Sequence, residues 1–431
     1  MVPQLKTAEH WLLEQRGTPG TMAFCSFKRY LKQVAVVVLL TLTTTIFVGE
    51  ATARRNSNDF MSRLSAKDQR TFQVYLKART FHEAERDAFW AKVNRKRNER
   101  RKKKRRRAVL RSSDYVNAHP PKYEGPTLPK SLAKAWSKYL KDGEKKKPAK
   151  KRTELPGIPD YLRAAKKYYG FVPERIPERE FKRRYAREAL RLGLNSDQVV
   201  RVYALETSGL GTADMQAGIH PIRRTGRPIA SADTGSGNSI TLNFNELQKH
   251  GRTFLRRLQA LAQEPNLSSN RRTALKNKIA ALKRMIARVN RVPKRWSSHQ
   301  AFARTGPGRG VHPINIDGDI GPWLQVIKLK GVHDIARRAG RPDISPTELE
   351  LMNLAGPGTG LEMMTSVGLG MSTVNFFSRR GYERNTIVRG RTSRELLVKL
   401  GKRMDVNVRN SGAKEFYEVF DEAARDRRAA R

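Results

Sequence analysis

The chain has 431 residues, with 87 Lys and Arg against 40 Asp and Glu, a formal net charge of +47. Hydrophobic residues are 38% of it and charged residues 29%, too little apolar material for one uniform globule but enough for a packed core within a chain of two or three domains. So large a positive excess points to a polyanionic partner, and the single cysteine, Cys25, excludes intrachain disulfides and cysteine-based metal sites.

Val34 to Val48 is an apolar run, preceded by Lys28, Arg29 and Lys32 and followed by Gly49-Glu50-Ala51-Thr52-Ala53. It is short for a membrane-spanning helix, which needs about 20 residues. Small residues occupy the two positions before a signal-peptidase cut. Residues 1–53 are expected to be a signal peptide region cleaved after Ala53, with Met22 an alternative start. The other reading is an uncleaved segment that anchors the chain to the inner membrane. The expected location is periplasmic or secreted.

Residues 54–107 read as a helical, basic N-terminal segment. From Ser65 to Val93, Phe72, Leu76, Ala84, Ala88 and Phe89 recur at roughly helical spacing. Eleven of the thirteen residues from Arg95 to Arg107 are Lys or Arg, as are six of the eight from Lys145 to Arg152. Like charges so close repel one another, so both runs are expected to be solvated and flexible, or a frayed helix extension. Residues 108–155, with Pro120, Pro121, Pro126 and Pro129, read as a Pro/Lys-rich linker with one short helix from Leu132 to Leu140.

Residues 156–395 are expected to form the main domain and 396–431 a C-terminal helical tail. Phe181 to Leu192 places Phe181, Tyr185, Ala189 and Leu192 on one stripe, with Gly193 just beyond its end. Asn195 or Ser196 can cap the next helix, Asp197 to Glu206, which Thr207-Ser208-Gly209 breaks. Ile222 to Gly237 reads as a loop. Ile240–Ala262, Asn270–Val289, Trp323–Ala339 and Ser345–Leu354 read as further helices, the last opened by Ser345-Pro346-Thr347-Glu348. The class is mainly α, without repeats.

Chemistry is expected at the end of the Asp197–Glu206 helix. Val199, Val202, Tyr203 and Glu206 fall at i, i+3, i+4 and i+7, which puts the Glu206 carboxyl on the apolar face. The helix C-terminus opposes a negative charge, so the carboxyl is expected to hold its proton toward neutral pH, as a glycosidase general acid must. The plainer reading is a charged residue at a helix end facing solvent.

Glu206-Thr207-Ser208-Gly209, then Ala213-Asp214-Met215-Gln216, and later Met352-Asn353-Leu354-Ala355-Gly356-Pro357-Gly358 stand in chain order. The sequence here resembles the lysozyme-like lytic transglycosylases of the soluble type. In that family a helix ends in the catalytic Glu, followed by Ser and a small residue, then a Gly-Leu-Met-Gln stretch and an Ala-Tyr-Asn-Ala-Gly-x-Gly stretch. Tyr161 to Arg384 also resembles a group of exported bacterial, alphaproteobacterial proteins with this core. This chain departs from the pattern: Ser208 stands one position late, Asp214 replaces Gly, Met352 replaces Tyr and Leu354 is extra.

The resemblance implies a lysozyme-like domain that cleaves the bond between N-acetylmuramic acid and N-acetylglucosamine in peptidoglycan. Glu206 would be its general acid and base. Ser208, Met215, Gln216, Asn353 and Gly356 would be substrate-binding, and Asp214 and Asp233 are candidate second carboxylates. No cofactor is expected, and the eight histidines show no HExxH or other ligand spacing. Asp317-Gly318-Asp319 lacks the remaining calcium ligands and reads as a turn. Trp323, next to Pro322, reads as aromatic packing, with stacking on sugar the alternative, and Asn375-Phe376-Phe377 and Gly381-Tyr382 as core and turn, with aromatics near a cleft the alternative. The basic runs carry no interleaved aromatics for base stacking, so anionic envelope polymers rank ahead of nucleic acid as their partners. The rival reading is a non-catalytic, basic envelope-binding protein that retains the lysozyme-like fold.

Overall fold

The computed structural model describes residues 57–146, 158–209 and 238–429. The expected signal region, most of the second basic run and the Ile222–Gly237 loop lie outside these residues. The protein is mainly α-helical, and among the described residues no helix is long and apolar enough to cross a membrane. The only pairing of extended backbone there is an isolated bridge between Ser372 and Thr392.

Residue contacts divide the chain into Met1–Glu83 with Tyr123–Lys150, and Ala84–Lys122 with Lys151–Arg431. Helix α1, Ala66–Arg105, contributes its first part to the smaller unit and its second to the larger. In the smaller unit, helix α2, Lys130–Lys146, replaces the short helix expected inside a linker. Its stripe of Leu132, Trp136 and Tyr139 closes on Phe60 and Phe72 of the same unit. The Phe60–Phe72 and Phe60–Trp136 ring centroids are 5.0 and 4.8 Å apart, the distances of favourable edge and tilted pairs. Tyr123 lies under the Arg79 guanidinium at 4.7 Å, so the Pro-rich segment is packed here rather than free.

The larger unit holds the second part of α1 and the remaining helices: α3 Ile158–Tyr169, α4 Glu178–Arg191, α5 Ser196–Thr207, α6 Asn238–Ala262, α7 Ser269–Asn290, α8 Trp296–Ala303 and α9 Gly306–Val311. After them come α10 Gly321–Arg338, α11 Pro346–Ala355, α12 Pro357–Met363, α13 Ser366–Gly370, α14 Arg379–Arg384, α15 Ser393–Asn407 and α16 Ser411–Ala429. One core gathers Phe171, Phe244, Phe254, Leu275, Met285 and Leu324 from the α3 and α6–α10 side. A second gathers Phe181, Val199, Tyr203, Leu349, Met352, Leu400, Phe416 and Phe420 from α4, α5, α11, α15 and α16.

Two expectations change here. The C-terminal residues do not form a tail: α16 packs against α4 and α5, and its Phe416 and Phe420 are buried. Its stripe of Phe416, Val419, Phe420 and Ala423 needs a partner surface, and Lys182 on α4, itself buried, pairs with Glu415 at 2.7 Å beside it. The Arg95–Arg107 run takes the second of its two expected forms, a helix extension, docked rather than frayed. The helix continues to Arg105 and docks one face. The Arg97 guanidinium donates to the carbonyls of Val374, Asn375 and Phe377 at 3.0, 3.2 and 2.6 Å. Burial, with Arg100 and Arg101 beside it, lowers Arg97 to about 10, so it stays charged at neutral pH. Arg100 is buried, donates to the Asp114 and Asn375 carbonyls at 3.0 and 2.7 Å, and pairs with Glu362 at 2.9 Å. Lys103 and Lys104 pair with Asp114 and Glu362. Opposite charges supplied by the fold relieve the repulsion that the run alone suggests. Arg95, Arg101, Lys102, Arg105, Arg106 and Arg107 remain exposed. The apolar face of α1 also shifts: Ala84 and Ala88 are exposed, while Trp90, Val93 and Arg100 are buried.

Candidate active site

Helix α5 begins with a capping box. The Asn195 side chain accepts from the Gln198 N–H at 2.8 Å, and the Gln198 side chain accepts the Asn195 N–H at 3.2 Å. The Gln198 amide also donates to the Ile344 carbonyl at 3.1 Å, which ties α5 to the segment entering α11. Val199, Val200, Tyr203, Ala204 and Thr207 are buried. Glu206 sits in the last turn and is exposed, unlike the apolar residues it was grouped with.

The end of α5 is held by groups far along the chain. Asn407 donates its side-chain N–H to the Ala204 carbonyl at 2.9 Å, and Asn410 to the Ser208 carbonyl at 2.7 Å. The Ala413 N–H reaches the Gly209 carbonyl at 3.0 Å. These satisfy carbonyls that a helix end leaves unpaired. Ser208 adopts the left-handed region at φ 58°, and Gly209 follows at φ 67°. A Cβ at Gly209 would lie 1.9 Å from the Asn407 carbonyl oxygen, so only glycine fits.

Helix α11 starts on a second capping box between Ser345 and Glu348, with Pro346 at its first position. It packs against α5, α10, α12 and α15 and buries Leu349, Glu350, Leu351 and Met352 in succession. Glu350 is 3% exposed. It shares a side-chain hydrogen bond with Glu206, and Asn353 donates to its Oε2 at 3.3 Å. Burial pushes the Glu350 carboxyl well above the ordinary carboxylate range, and the neighbouring Glu206 adds to the rise. A carboxylate only accepts hydrogen bonds, so two carboxyls in contact need a proton between them.

The structure thus joins Glu206 and Asn353, from two stretches far apart in the chain, through Glu350. Ser208 follows Glu206 along the backbone. Gly356, at φ 84° and ψ 142°, separates α11 from α12, a backbone conformation reserved for glycine. Met215, Gln216, Asp214 and Asp233 lie outside the described residues. Sequence reasoning missed Glu350. The available signal was an acidic residue inside the apolar Leu349-Glu350-Leu351-Met352 run of a short helix. The arrangement can hold a proton on a buried acid and present a second carboxyl to a ligand, the requirement of general acid–base chemistry.

The Asp317-Gly318-Asp319 turn is a buried ionic hub. Asp317 accepts from the N–H groups of Asp319, Ile320 and Glu174 at 3.1, 3.0 and 3.0 Å, and pairs with Lys278 at 2.9 Å. Asp319 pairs with Lys278, with Arg271 and with Arg184. Lys278 thus meets both aspartates of the turn, and among the described residues no group of ligands suits a metal ion. Trp323 stacks on Phe254 and carries the Arg257 guanidinium over its face, the packing role expected of it.

No family model matches this chain, and comparison with curated proteins and with solved structures found no match.

Proposed function

We propose that this protein is an exported lytic transglycosylase that acts on peptidoglycan through a lysozyme-like helical domain, with Glu206 as its general acid and base. The observation that carries the reading is the meeting of Glu206, Glu350 and Asn353 at one rim of the larger unit. Glu206 and Asn353 belong to two of the three stretches in which the sequence resembles that family, and among the described residues both are exposed.

Glu206 protonates the glycosidic oxygen as the bond from muramyl C1 to that oxygen breaks. The substrate's acetamido group stabilises the cation at C1. The C6 hydroxyl then closes on C1 and its proton returns to Glu206, so no water is consumed. Carboxyls that flank the bond in hydrolysis stand about 5–5.5 Å or about 6.5–9.5 Å apart. Glu350 is buried beside Glu206, which supports a scheme with one carboxyl on the substrate. The exposed residues of α1 favour a second role in the same molecule, retention on anionic envelope polymers through Arg95–Arg107.

The test is a digest of purified peptidoglycan by the chain from Arg54, beside Glu206→Gln, with products read by mass spectrometry. Anhydro-muropeptides from the wild type alone are expected. Reducing ends would mean hydrolysis. Binding without products from either protein would leave a non-catalytic envelope-binding protein. N-terminal sequencing of the exported chain distinguishes cleavage after Ala53 from an uncleaved anchor.

A further inference from the structure

Helices α6 and α7 pack as an antiparallel hairpin. Gly251 lies against Ile286, and the Gln248 amide donates to the Val289 carbonyl at 2.9 Å, which fixes the register. Arg252, Arg256, Gln259 and Gln263 follow i, i+4, i+7 and i+11 on α6, an exposed stripe turned away from the buried Leu247, Phe254 and Leu258. Arg272, Lys276, Ile279 and Lys283 repeat that spacing on α7. A groove of about 390 Å³ lies between the helices. Its cations, Arg272, Lys276 and Lys283, come from α7 and its amides, Gln259 and Gln263, from α6. The rest of its lining is Ala262, Ile279 and Ala280. Arg252 and Arg256 continue the α6 stripe beyond it, level with Lys283.

We propose that this groove binds an extended acidic glycan, one chain wide. The inference is independent of Glu206 and of the reading of the chain as an enzyme.

Elsewhere the fold meets its buried cations with carboxylates, as at Arg100 and Lys278. Here it does not. Helix α7 has no Asp or Glu. The one acid of α6, Glu246, stands beside Lys249 and His250, more than two turns before Arg256. Glu264, in the connecting turn, lines another cavity with Arg187, Arg191 and Trp323. Arg272 is held in place by the Ala262 and Glu264 carbonyls at 2.9 and 3.1 Å, partners that orient the guanidinium without cancelling its charge. Like charges gathered on one face attract counterions, and a polyanion that displaces them binds with the free energy of their release.

Shape and chemistry narrow the ligand. Arg272 and Lys283 are about 16 Å apart along the helix axis at 1.5 Å per residue, so a single small anion cannot reach both. The groove is concave, and no large apolar side chain other than Ile279 lines it, which favours a chain over a lipid surface. No aromatic side chain lines it to stack on a base. Gln259 and Gln263 add amides that can donate to and accept from sugar hydroxyls. The charge of the glycan can be carboxylate or phosphate, since both suit Arg and Lys.

The test is lysine footprinting of the full chain. Lysines are acetylated with and without ligand, and each site is read by mass spectrometry. The probes are an oligogalacturonate, a phosphorylated dextran, neutral dextran, galacturonic acid, oligo(dT) and phosphatidylglycerol vesicles. At least one of the two acidic glycans is expected to protect Lys276 and Lys283 together, and the one that does so at lower concentration identifies the anion. Neutral dextran and the monomer are expected to protect neither. Arg256→Gln/Lys276→Gln/Lys283→Gln, all surface changes, is expected to weaken glycan binding about 10-fold and to flatten its salt dependence by at most about 0.7 per cation. Arg101→Gln/Lys102→Gln/Arg105→Gln removes as much charge from α1 and is expected to leave the protection of Lys276 and Lys283 in place. Lys276→Arg/Lys283→Arg is expected to keep the affinity. Lys276 and Lys283 left unprotected by both acidic glycans would overturn the inference. So would protection by oligo(dT) or by the vesicles at lower concentration than by either glycan, or protection that the α1 exchange abolishes.

Discussion

Glu206 and Glu350 share a side-chain hydrogen bond across the contact of α5 with α11, Glu206 exposed at the rim and Glu350 3% exposed behind it. The pair is kept in register by contacts at both ends of α5. Gln198 reaches the approach to α11, and Asn407 and Asn410 hold the final carbonyls.

Burial of Glu350 has a cost that depends on pH. Its folded-state affinity for a proton is raised above that of an ordinary Glu near 4.3, as in an unfolded chain (about 4.3). The stability it contributes is complete below that ordinary range and is lost as pH rises through the raised folded value. The melting temperature is expected to decline as pH rises from the ordinary range into the alkaline. Glu350→Gln, which is neutral throughout, should flatten that decline and melt higher than wild type at neutral pH. Calorimetry across the pH range checks this, and parallel curves for the two proteins would contradict it.

Lys278 is buried between Asp317, Asp319 and Glu174. Lys278→Met removes the cation and leaves buried carboxylates facing one another, which is expected to cost about 3–5 kcal/mol. Urea unfolding measures it. Lys278, with Arg271 beside it, outweighs burial and lowers Asp319 below the ordinary Asp range. Its contribution is therefore present above about 3.9 and is lost as pH falls through the lowered folded value. The wild type should lose more stability on acidification than Lys278→Met does.

Arg100 uses the whole guanidinium: one N–H to Glu362, others to the Asp114 and Asn375 carbonyls, and its plane 4.3 Å from the Tyr115 ring centre. A lysine keeps the charge and loses the fork. Arg100→Lys is expected to destabilise by at least about 2 kcal/mol. Exchanging the exposed Arg101, Lys102 and Arg105 for Gln is expected to change stability by less than about 0.5 kcal/mol each. The same exchange should weaken retention on a polyanion column and flatten its salt dependence. Chemical unfolding and salt elution separate the two kinds of cation.

Much of the local structure was legible in the residue order. The Phe181, Tyr185 and Ala189 stripe, the Asn195 cap, the Thr207-Ser208-Gly209 stop and the Ser345-Pro346 start all follow from rules that act within a turn or two of helix, and the helices stand where those rules put them. Glu206 was legible as a carboxyl at a helix end for the same reason. What surrounds it was not. Glu350, Asn407 and Asn410 come to α5 from helices far along the chain, and spacing carries no information about which helices meet. The tertiary structure also decided which cations of the Arg95–Arg107 run are exposed, because Glu362, Asp114 and the Val374–Phe377 carbonyls had first to be brought beside them. Helix ends and apolar stripes are short-range matters of hydrogen bonding and periodicity. The ionisation of a carboxyl depends on burial and on neighbours that only packing supplies.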